Sequence, residues 1–337
     1  MFAEVLLPPL VALLPVMCFL AVLLWLDSYK LVRLPLVLAC LGCGVVAAGL
    51  SYLAGGQLLS RTGLDFTIYS LYVAPLAEEA LKAAVVVALV RAHRVGFLVD
   101  AAICGFAVGT GFALLENLYF LRHMPDAGLG TWITRGFGTA LMHGGATAIF
   151  GVMGLGLLER RPGHARRAFA PGFVLAAVLH SAFNHLNHEP KQATLAVLLV
   201  LPPLAWWVFA HSEKALGDWL GRGFDADAER LALIHSGRLA DSPLGRYLGT
   251  LQAKLEGPVV ADLLCYLRLF SELALRAKGL LMLQENGFAV ELDDETRAKL
   301  DELRYLEGSI GRTGLRALQP VLAGGRREVW QLTLLAR

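Results

Sequence analysis

Residues 71–90, LYVAPLAEEALKAAVVVALV, place two adjacent glutamates and a lysine inside an apolar run. Glu78 and Glu79 lie side by side, and Lys82 follows one helical turn later, where its ammonium can reach either carboxylate. A charge at the centre of a membrane-spanning helix costs roughly 2.5–3.5 kcal/mol. One buried ion pair would only join helices, whereas the second, unbalanced carboxylate favours a functional site within a membrane.

The composition of the chain places its first part in a membrane. The 337 residues are 56% apolar and 17% charged, and the charge is concentrated after residue 211. Before that point, apolar runs of about 20 residues, enough to cross ~30 Å of hydrocarbon, predict seven helical spans. They lie near residues 5–26, 33–54, 68–90, 97–121, 132–158, 168–187 and 191–210. The sequence therefore predicts an all-α polytopic membrane helix bundle in residues 1–211 and a soluble helical domain in residues 212–337.

Basic residues are distributed unevenly between alternate loops of this bundle. One set of loops holds eight: Lys30, Arg33, Arg91, Arg94, Arg160, Arg161, Arg166 and Arg167. The opposite set holds four: Arg61, Arg122, Arg135 and Lys191. Because cytoplasmic loops carry the excess of Lys and Arg, the charge bias predicts an integral membrane protein with an outer N-terminus and a cytoplasmic C-terminal domain.

Polar residues recur on the later spans at a similar depth. They are Glu116 and Asn117 in the pattern Phe112-x-x-x-Glu116-Asn117 on the fourth span, His143 on the fifth, and the two ends of His180-x-x-x-Asn184 on the sixth. At 1.5 Å of rise per residue, the carboxylates and histidines lie roughly 18–24 Å above the cytoplasmic ends of their spans. Polar groups at one depth on four helices predict a shared, water-filled site.

Glycines on the fourth span predict how closely its neighbours pack. Gly105, Gly109 and Gly111 form a face of small residues in DAAICGFAVGTGFALLENLYFL. Such a face lets another helix approach closely in a membrane. Pro75, just before the paired glutamates, lacks an N–H and should bend its helix or free the carbonyl of Leu71.

The polar groups could hold a metal as well as activate water directly. Zinc takes nitrogen and oxygen ligands in a tetrahedral arrangement, and four residues could supply them: Glu78, Glu116, His143 and His180. No H-E-x-x-H motif occurs in the chain. We therefore expect glutamate chemistry without a cofactor, and zinc is the alternative.

The order and spacing of these motifs resemble the PrsW family of glutamic-type intramembrane proteases. That family is part of the superfamily that includes the CAAX-prenyl proteases, and the resemblance covers roughly residues 65–190. The second motif of the CAAX-protease pattern ends in His, whereas this chain has Glu116. The resemblance implies hydrolysis of a peptide bond within or near the membrane, for a protein of the bacterial inner membrane.

The resemblance also implies a role for each polar residue. Glu78 looks like the general base that activates water. A neutral histidine and an asparagine are suitable donors to an oxyanion, and His180 and Asn184 resemble that pair. The other members of the implied site are Glu79, Glu116 and His143, with Lys82 and Asn117 as electrostatic or structural support.

Other functions and partners remain open at this point. Some members of the superfamily resemble the scaffold subunit of gamma-secretase, which supports a partner without catalysis, and buried carboxylates and histidines also form proton relays in transporters. Analogy suggests a substrate anchored in the bilayer, such as an anti-sigma factor. The C-terminal domain has 17 basic and 18 acidic residues, so it lacks the basic surplus that nucleic-acid binding requires.

The C-terminal domain shows two strong helical patterns. The first begins at Pro258 and ends near Gly287, with an apolar face made of Val260, Leu263, Leu264, Leu267, Phe270 and Ala274. The second begins at the acidic turn Asp293-Asp294-Glu295, which suits a helix N-terminus, and its apolar stripe is Leu300, Leu303, Leu306 and Ile310. These patterns predict a small helical bundle.

Overall fold

The structure is a computed structural model that describes residues 2–160, 165–186, 189–252, 254–288, 293–318, 320–322 and 326–335. These residues form helices and no strands, so the predicted all-α class is confirmed. The α-helices are α1 (Phe2–Leu26), α2 (Leu34–Thr62), α3 (Phe66–Ile68), α4 (Ala74–Arg91), α5 (Leu98–His123), α6 (Leu129–Ile133), α7 (Ala140–Arg160), α8 (Ala165–His185), α9 (Pro190–His235), α10 (Pro243–Gln252), α11 (Gly257–Glu285), α12 (Asp294–Leu318) and α13 (Arg326–Leu335). Two π-helical segments, Tyr69–Val73 and Thr134–Thr139, lead into α4 and α7.

Five helical stretches in the described part of the chain are long and apolar enough to cross a membrane. They are Leu6–Leu26, Leu34–Thr62, Leu98–His123, Leu129–Arg160 and Pro190–His235. A polytopic membrane bundle is therefore confirmed. Arg161 and the side chain of Arg166, which enter the predicted charge bias, lie outside the described residues.

The other two predicted spans coincide with α4 and α8. Both fall short of the apolarity of the first five because each carries the polar residues of the predicted site. Within 18 residues, α4 has Glu78, Glu79, Lys82 and Arg91, and the end of α8 holds His180, Ser181, Asn184 and His185. Within the membrane unit, α4 packs against α2, α5, α7 and α8. Whether these two helices cross the bilayer stays a prediction.

The chain divides into two compact units, Met1–Glu213 and Lys214–Arg337. Helix α9 begins in the first unit and ends in the second, so it is much longer than the predicted span at residues 191–210. Its first part contains Pro202 and Pro203.

Helix α5 lies at the centre of the membrane unit, and it is buried along most of its length. It packs against α1, α2, α4 and α7. A Cβ on Gly109 would overlap the carbonyl oxygen of His143, and one on Gly105 would contact the backbone of Thr147. Gly111 instead faces the carbonyl of Leu41 on α2. The predicted close approach is confirmed. The glycines allow two helices to approach α5, α7 at Gly105 and Gly109 and α2 at Gly111.

The C-terminal unit has its own apolar core. Helices α11 and α12 agree with the two predicted helices, and Gly287 after α11 has a positive φ of 80°, which favours glycine. All four stripe residues of α12 are buried, as are five of the six on α11. The exception is Leu264, which is exposed, so the prediction was wrong for that residue.

A buried lysine joins three helices of this unit. Lys278 on α11 places its Nζ 2.5 Å from the Oδ2 of Asp227 on α9 and 2.9 Å from the Oε1 of Gln331 on α13. Burial raises the pKa of Glu328, which lies 3.9 Å from the same ammonium. Because a buried charge is costly unless it is paired, this cluster constrains how the three helices pack.

The close packing of α5 on α7 gives a first testable prediction. Gly109→Ala should force the two helices apart at His143, since overpacking typically costs ~1–3 kcal/mol. We expect a lower thermal unfolding midpoint for the purified protein in detergent. Gly42→Ala is the matched control, because a Cβ on Gly42 would meet nothing within 4 Å. Equal midpoints for the two variants would contradict the packing described here.

Candidate active site

Side chains from four helices of the membrane unit meet in one polar cluster. Helix α4 contributes Glu78, Glu79 and Lys82, α5 contributes Glu116, α7 contributes His143 and α8 contributes His180. The predicted residues on these four helices are thus brought together, with the exceptions of Asn117 and Asn184. Their catalytic roles stay predictions.

Lys82 is the centre of the cluster, and its side chain is 0% exposed. Its Nζ lies 2.5 Å from the Oε1 of Glu79 and 3.0 Å from the Nδ1 of His143. An ammonium can only donate hydrogen bonds, so the Nδ1 of His143 accepts. The proton of the neutral imidazole is then on Nε2, which donates to the Oε2 of Glu116 at 3.0 Å.

Glu79 also determines the tautomer of His180. The Nδ1 of His180 lies 2.9 Å from the Oε1 of Glu79, and Glu79 accepts because its carboxylate is paired with the Lys82 ammonium. The Nε2 of the neutral imidazole therefore keeps its lone pair, and it lies 3.8 Å from the Oε2 of Glu78. A carboxylate that orients a histidine in this way is the usual support of a metal-binding imidazole.

Glu78 differs from the other two carboxylates of the cluster. Glu79 pairs with Lys82, and Glu116 lies 3.4 Å from the Nη2 of Arg135. Among the described residues, the ion contact of Glu78 is with His180 alone. Its side chain is 17% exposed, between 2% for Glu79 and 28% for Glu116. Glu78 is therefore the carboxylate whose charge has no lysine or arginine beside it.

Arg135 is a member of the cluster that the sequence analysis missed. The charge pattern of the sequence assigns Arg135 to a loop, but its side chain is only 14% exposed. Its Nε donates to the Oδ1 of Asn117 at 2.9 Å, and the Nδ2 of Asn117 donates to the carbonyl of Ala12 at 2.7 Å. The position of Arg135 inside the predicted span at residues 132–158 was the available signal. Asn117 thus connects to Glu116 through Arg135.

Asn184 uses its amide for a contact outside the cluster. Its Nδ2 donates to the carbonyl of Ser70 at 2.9 Å, and the hydroxyl of Ser181 donates to the carbonyl of Leu71 at 2.6 Å. Both acceptors lie in the π-helical segment before α4, so Pro75 does free the Leu71 carbonyl as predicted. These two bonds attach α8 to the segment that leads to Glu78. The contact of Asn184 therefore fixes the position of α8 relative to that segment.

The cluster has the residue types and spacing of a metal site. One ligand atom from each of Glu78, His143 and His180 lies within 4.8 Å of the other two. Nitrogen and oxygen donors of this kind suit zinc and related divalent metals. His143 would have to release one of its two present partners to act as a ligand. Glu116, the fourth predicted ligand, is bonded to His143 and lies outside this group of three.

The comparison with protein families identifies the chain. The model of the PrsW family intramembrane metalloproteases matches residues 32–209. The chain belongs to this family. The matched range is more than half of the chain and contains the whole polar cluster. No curated protein and no solved structure matches the chain.

Family membership confirms the resemblance on which the sequence analysis relied. It assigns the chain to the membrane-embedded peptidases, with a protein substrate in the membrane. The family is described as one of metalloproteases, which favours a bound metal over the expectation of a site without a cofactor and leaves the identity of the metal open.

Proposed function

We propose that the chain is an intramembrane endopeptidase that hydrolyses a peptide bond of a membrane-anchored protein, and that Glu78 activates the attacking water. The observation that carries this proposal is the Glu78 carboxylate, which has no salt bridge to a lysine or arginine among the described residues and lies 3.8 Å from the free lone pair of His180. A partly exposed carboxylate without a cation partner can accept a proton from water. The buried Glu79 is already bonded to both Lys82 and His180, so its role is to orient them.

The first proton transfer follows from this geometry. Glu78 would take a proton from water as the oxygen attacks the scissile carbonyl, and would return it to the leaving amine. The Nε2 of a neutral His180 has no proton to donate, so His180 would stabilise an oxyanion only in its charged form. The oxyanion roles implied for His180 and Asn184 stay predictions.

A divalent metal would be held by Glu78, His143 and His180. When bound, it would polarise the scissile carbonyl and make the attacking water more acidic. In that case Glu78 would be a ligand, and Glu116, whose side chain is 28% exposed, would be the accessible carboxylate left to accept a proton. The two assignments of the base are separated by the metal measurement described below.

The proposal includes the location of the protein in the cell and the kind of substrate it cleaves. The C-terminal domain, residues 212–337, would lie in the cytoplasm of a bacterial cell, and residues 1–211 would form the peptidase in the inner membrane. The substrate would be a single-pass regulator such as an anti-sigma factor. The eight-to-four bias of loop charge supports the orientation. The bias does not depend on Arg135, because removing that residue from the outer set only increases it.

Loss of the proposed base should stop proteolysis. Glu78→Gln keeps the shape of the side chain and removes its charge, so we expect cleavage to fall by ~10²–10⁴-fold. Membrane proteomes of cells that carry wild-type or Glu78→Gln protein should differ in at least one single-pass protein, which accumulates uncleaved with the variant. His185→Ala is the control, because the exposed His185 bonds to Ser181 and Tyr72 outside the cluster.

Two results would contradict this proposal. Full cleavage with Glu78→Gln would remove Glu78 from the base and ligand roles and favour a non-catalytic scaffold. Uncleaved substrate with both variants would show that the change does not depend on the polar cluster. Ion flux through liposomes that contain wild-type protein, without any cleavage, would favour the transporter.

Bound metal should depend on the three clustered ligands. We expect about one divalent metal ion per purified chain by mass spectrometry, and an affinity at least ~10-fold lower in His180→Ala. His185→Ala should bind metal like the wild type. Chelation should abolish cleavage and added zinc should restore it. If metal-free protein cleaves the substrate at an undiminished rate, the metal is not required, and Glu78 activates the water without it.

The orientation can be measured with reporters fused after residue 211. A reporter that is active only in the cytoplasm should work, and one that is active only in the periplasm should not. The reason is the excess of basic residues in the loops on the C-terminal side. Activity of the periplasmic reporter alone would reject the seven-span arrangement.

A further inference from the structure

We propose that Arg135 is a positioning residue of the active site, which holds the Glu116 carboxylate against His143. The inference rests on the proposed peptidase function and extends it by one residue. Arg135 does not belong to any of the predicted motifs. It lies in the π-helical segment Thr134–Thr139, and π-helical turns are often found at functional sites.

Three contacts fix the guanidinium of Arg135. Its Nε donates to Asn117 at 2.9 Å, its Nη2 lies 3.4 Å from the Oε1 of Glu116, and its Cζ lies 3.8 Å from the centre of the Phe120 ring. All three partners are on α5, within five residues of one another. A planar guanidinium can contact two groups and stack on a ring at once, which an ammonium cannot do.

The backbone that carries Arg135 is held on both sides by close packing. A Cβ on Gly136 would overlap the carbonyl of Val11 on α1. A Cβ on Gly138 would lie 2.5 Å from the hydroxyl of Thr194 on α9 and 3.1 Å from the ring of Phe183 on α8. The segment therefore fits tightly between three helices, and this packing constrains the backbone from which the Arg135 side chain extends.

The contacts of Arg135 orient the carboxylate of Glu116. Glu116 is the most exposed acid of the cluster, at 28%, and without a partner its side chain could rotate toward water. The Nη2 of Arg135 forms an ion pair with one of its oxygens at 3.4 Å, and the other oxygen accepts a hydrogen bond from the Nε2 of His143. Because the Nδ1 of His143 faces Lys82, the imidazole is then held from both sides. Arg135 thus acts on the reaction through Glu116 and His143.

The test compares Arg135→Gln with Arg122→Gln. Arg122 is a matched control, because it lies in the same predicted set of outer basic residues and is exposed. The substrate is the single-pass protein that accumulates with Glu78→Gln, reconstituted with each variant in liposomes. We expect kcat to fall by ~10–100-fold in Arg135→Gln, with KM changed less than about threefold. Arg135→Lys should recover part of the loss, because it keeps the charge without the planar fork.

A double-mutant cycle tests whether Arg135 acts through Glu116. Residues that act through one another have non-additive effects. Arg135→Gln combined with Glu116→Gln should therefore be no less active than Glu116→Gln alone. Additive losses would overturn the proposal, as would a change in KM alone, full activity in Arg135→Gln, or an equal loss in Arg122→Gln.

A spectroscopic measurement makes the test independent of any substrate. Protein labelled with ¹⁵N in its histidines should show an Nε2–H signal for His143, assigned by its loss in His143→Gln. That signal should shift in Arg135→Gln and Arg135→Lys but not in Arg122→Gln. An unchanged signal would overturn the proposal. If Arg135→Gln does not fold, Arg135→Lys carries the same comparison. If no wild-type cleavage is found, the proposed function fails, whereas this measurement still decides the role of Arg135.

Discussion

The arrangement of the membrane unit depends on one buried ammonium. Lys82 is fully enclosed, and a charge in that position must be paired or it is very costly. The Lys82–Glu79 ion pair therefore determines which side chains of the neighbouring helices can pack against it. Glu79 accepts from Lys82 and from His180, and Lys82 donates to His143. The tautomers of both histidines follow from these contacts, so a single lysine orients groups on three helices.

The charged groups of the cluster divide into those that have a partner of opposite charge and one carboxylate that has none. Glu79, Lys82 and Arg135 have their charges matched, and they hold the neighbouring side chains in place. Among the described residues, the carboxylate of Glu78 has no lysine or arginine to match its charge. Electrostatic preorganisation of this kind is a major source of catalytic rate, because the polar groups need not reorganise during the reaction. A metal or a proton could equally neutralise that charge, which is why the two mechanisms share their residues.

Two structural features of the helices bring these groups together: glycines at the helix contacts and π-helical segments. Glycines of α5 allow α2 and α7 to approach at backbone contact, which places His143 beside Glu116. On the other side, π-helical segments lead into α4 and α7. The first of them leaves carbonyls for Ser181 and Asn184 of α8, and the second carries Arg135. Polar groups of both irregular segments thus find partners on neighbouring helices inside the protein, which is how the bilayer tolerates irregular backbone.

The sequence by itself determined the all-α class, the family and the members of the polar cluster other than Arg135. It could do so because charged groups are rare inside apolar spans, where each carries a large energetic cost. The close approach of another helix at Gly109 and the freed carbonyl of Leu71 were also predictable, since both follow from local residue type, whereas the identity of the approaching helix was not. Only the tertiary structure decided the tautomers of His143 and His180, the separate contact of Asn184 and the place of Arg135. These depend on which side chains meet across helices distant in sequence, and an arginine near the end of a span has the same pattern whether it faces water or a buried carboxylate.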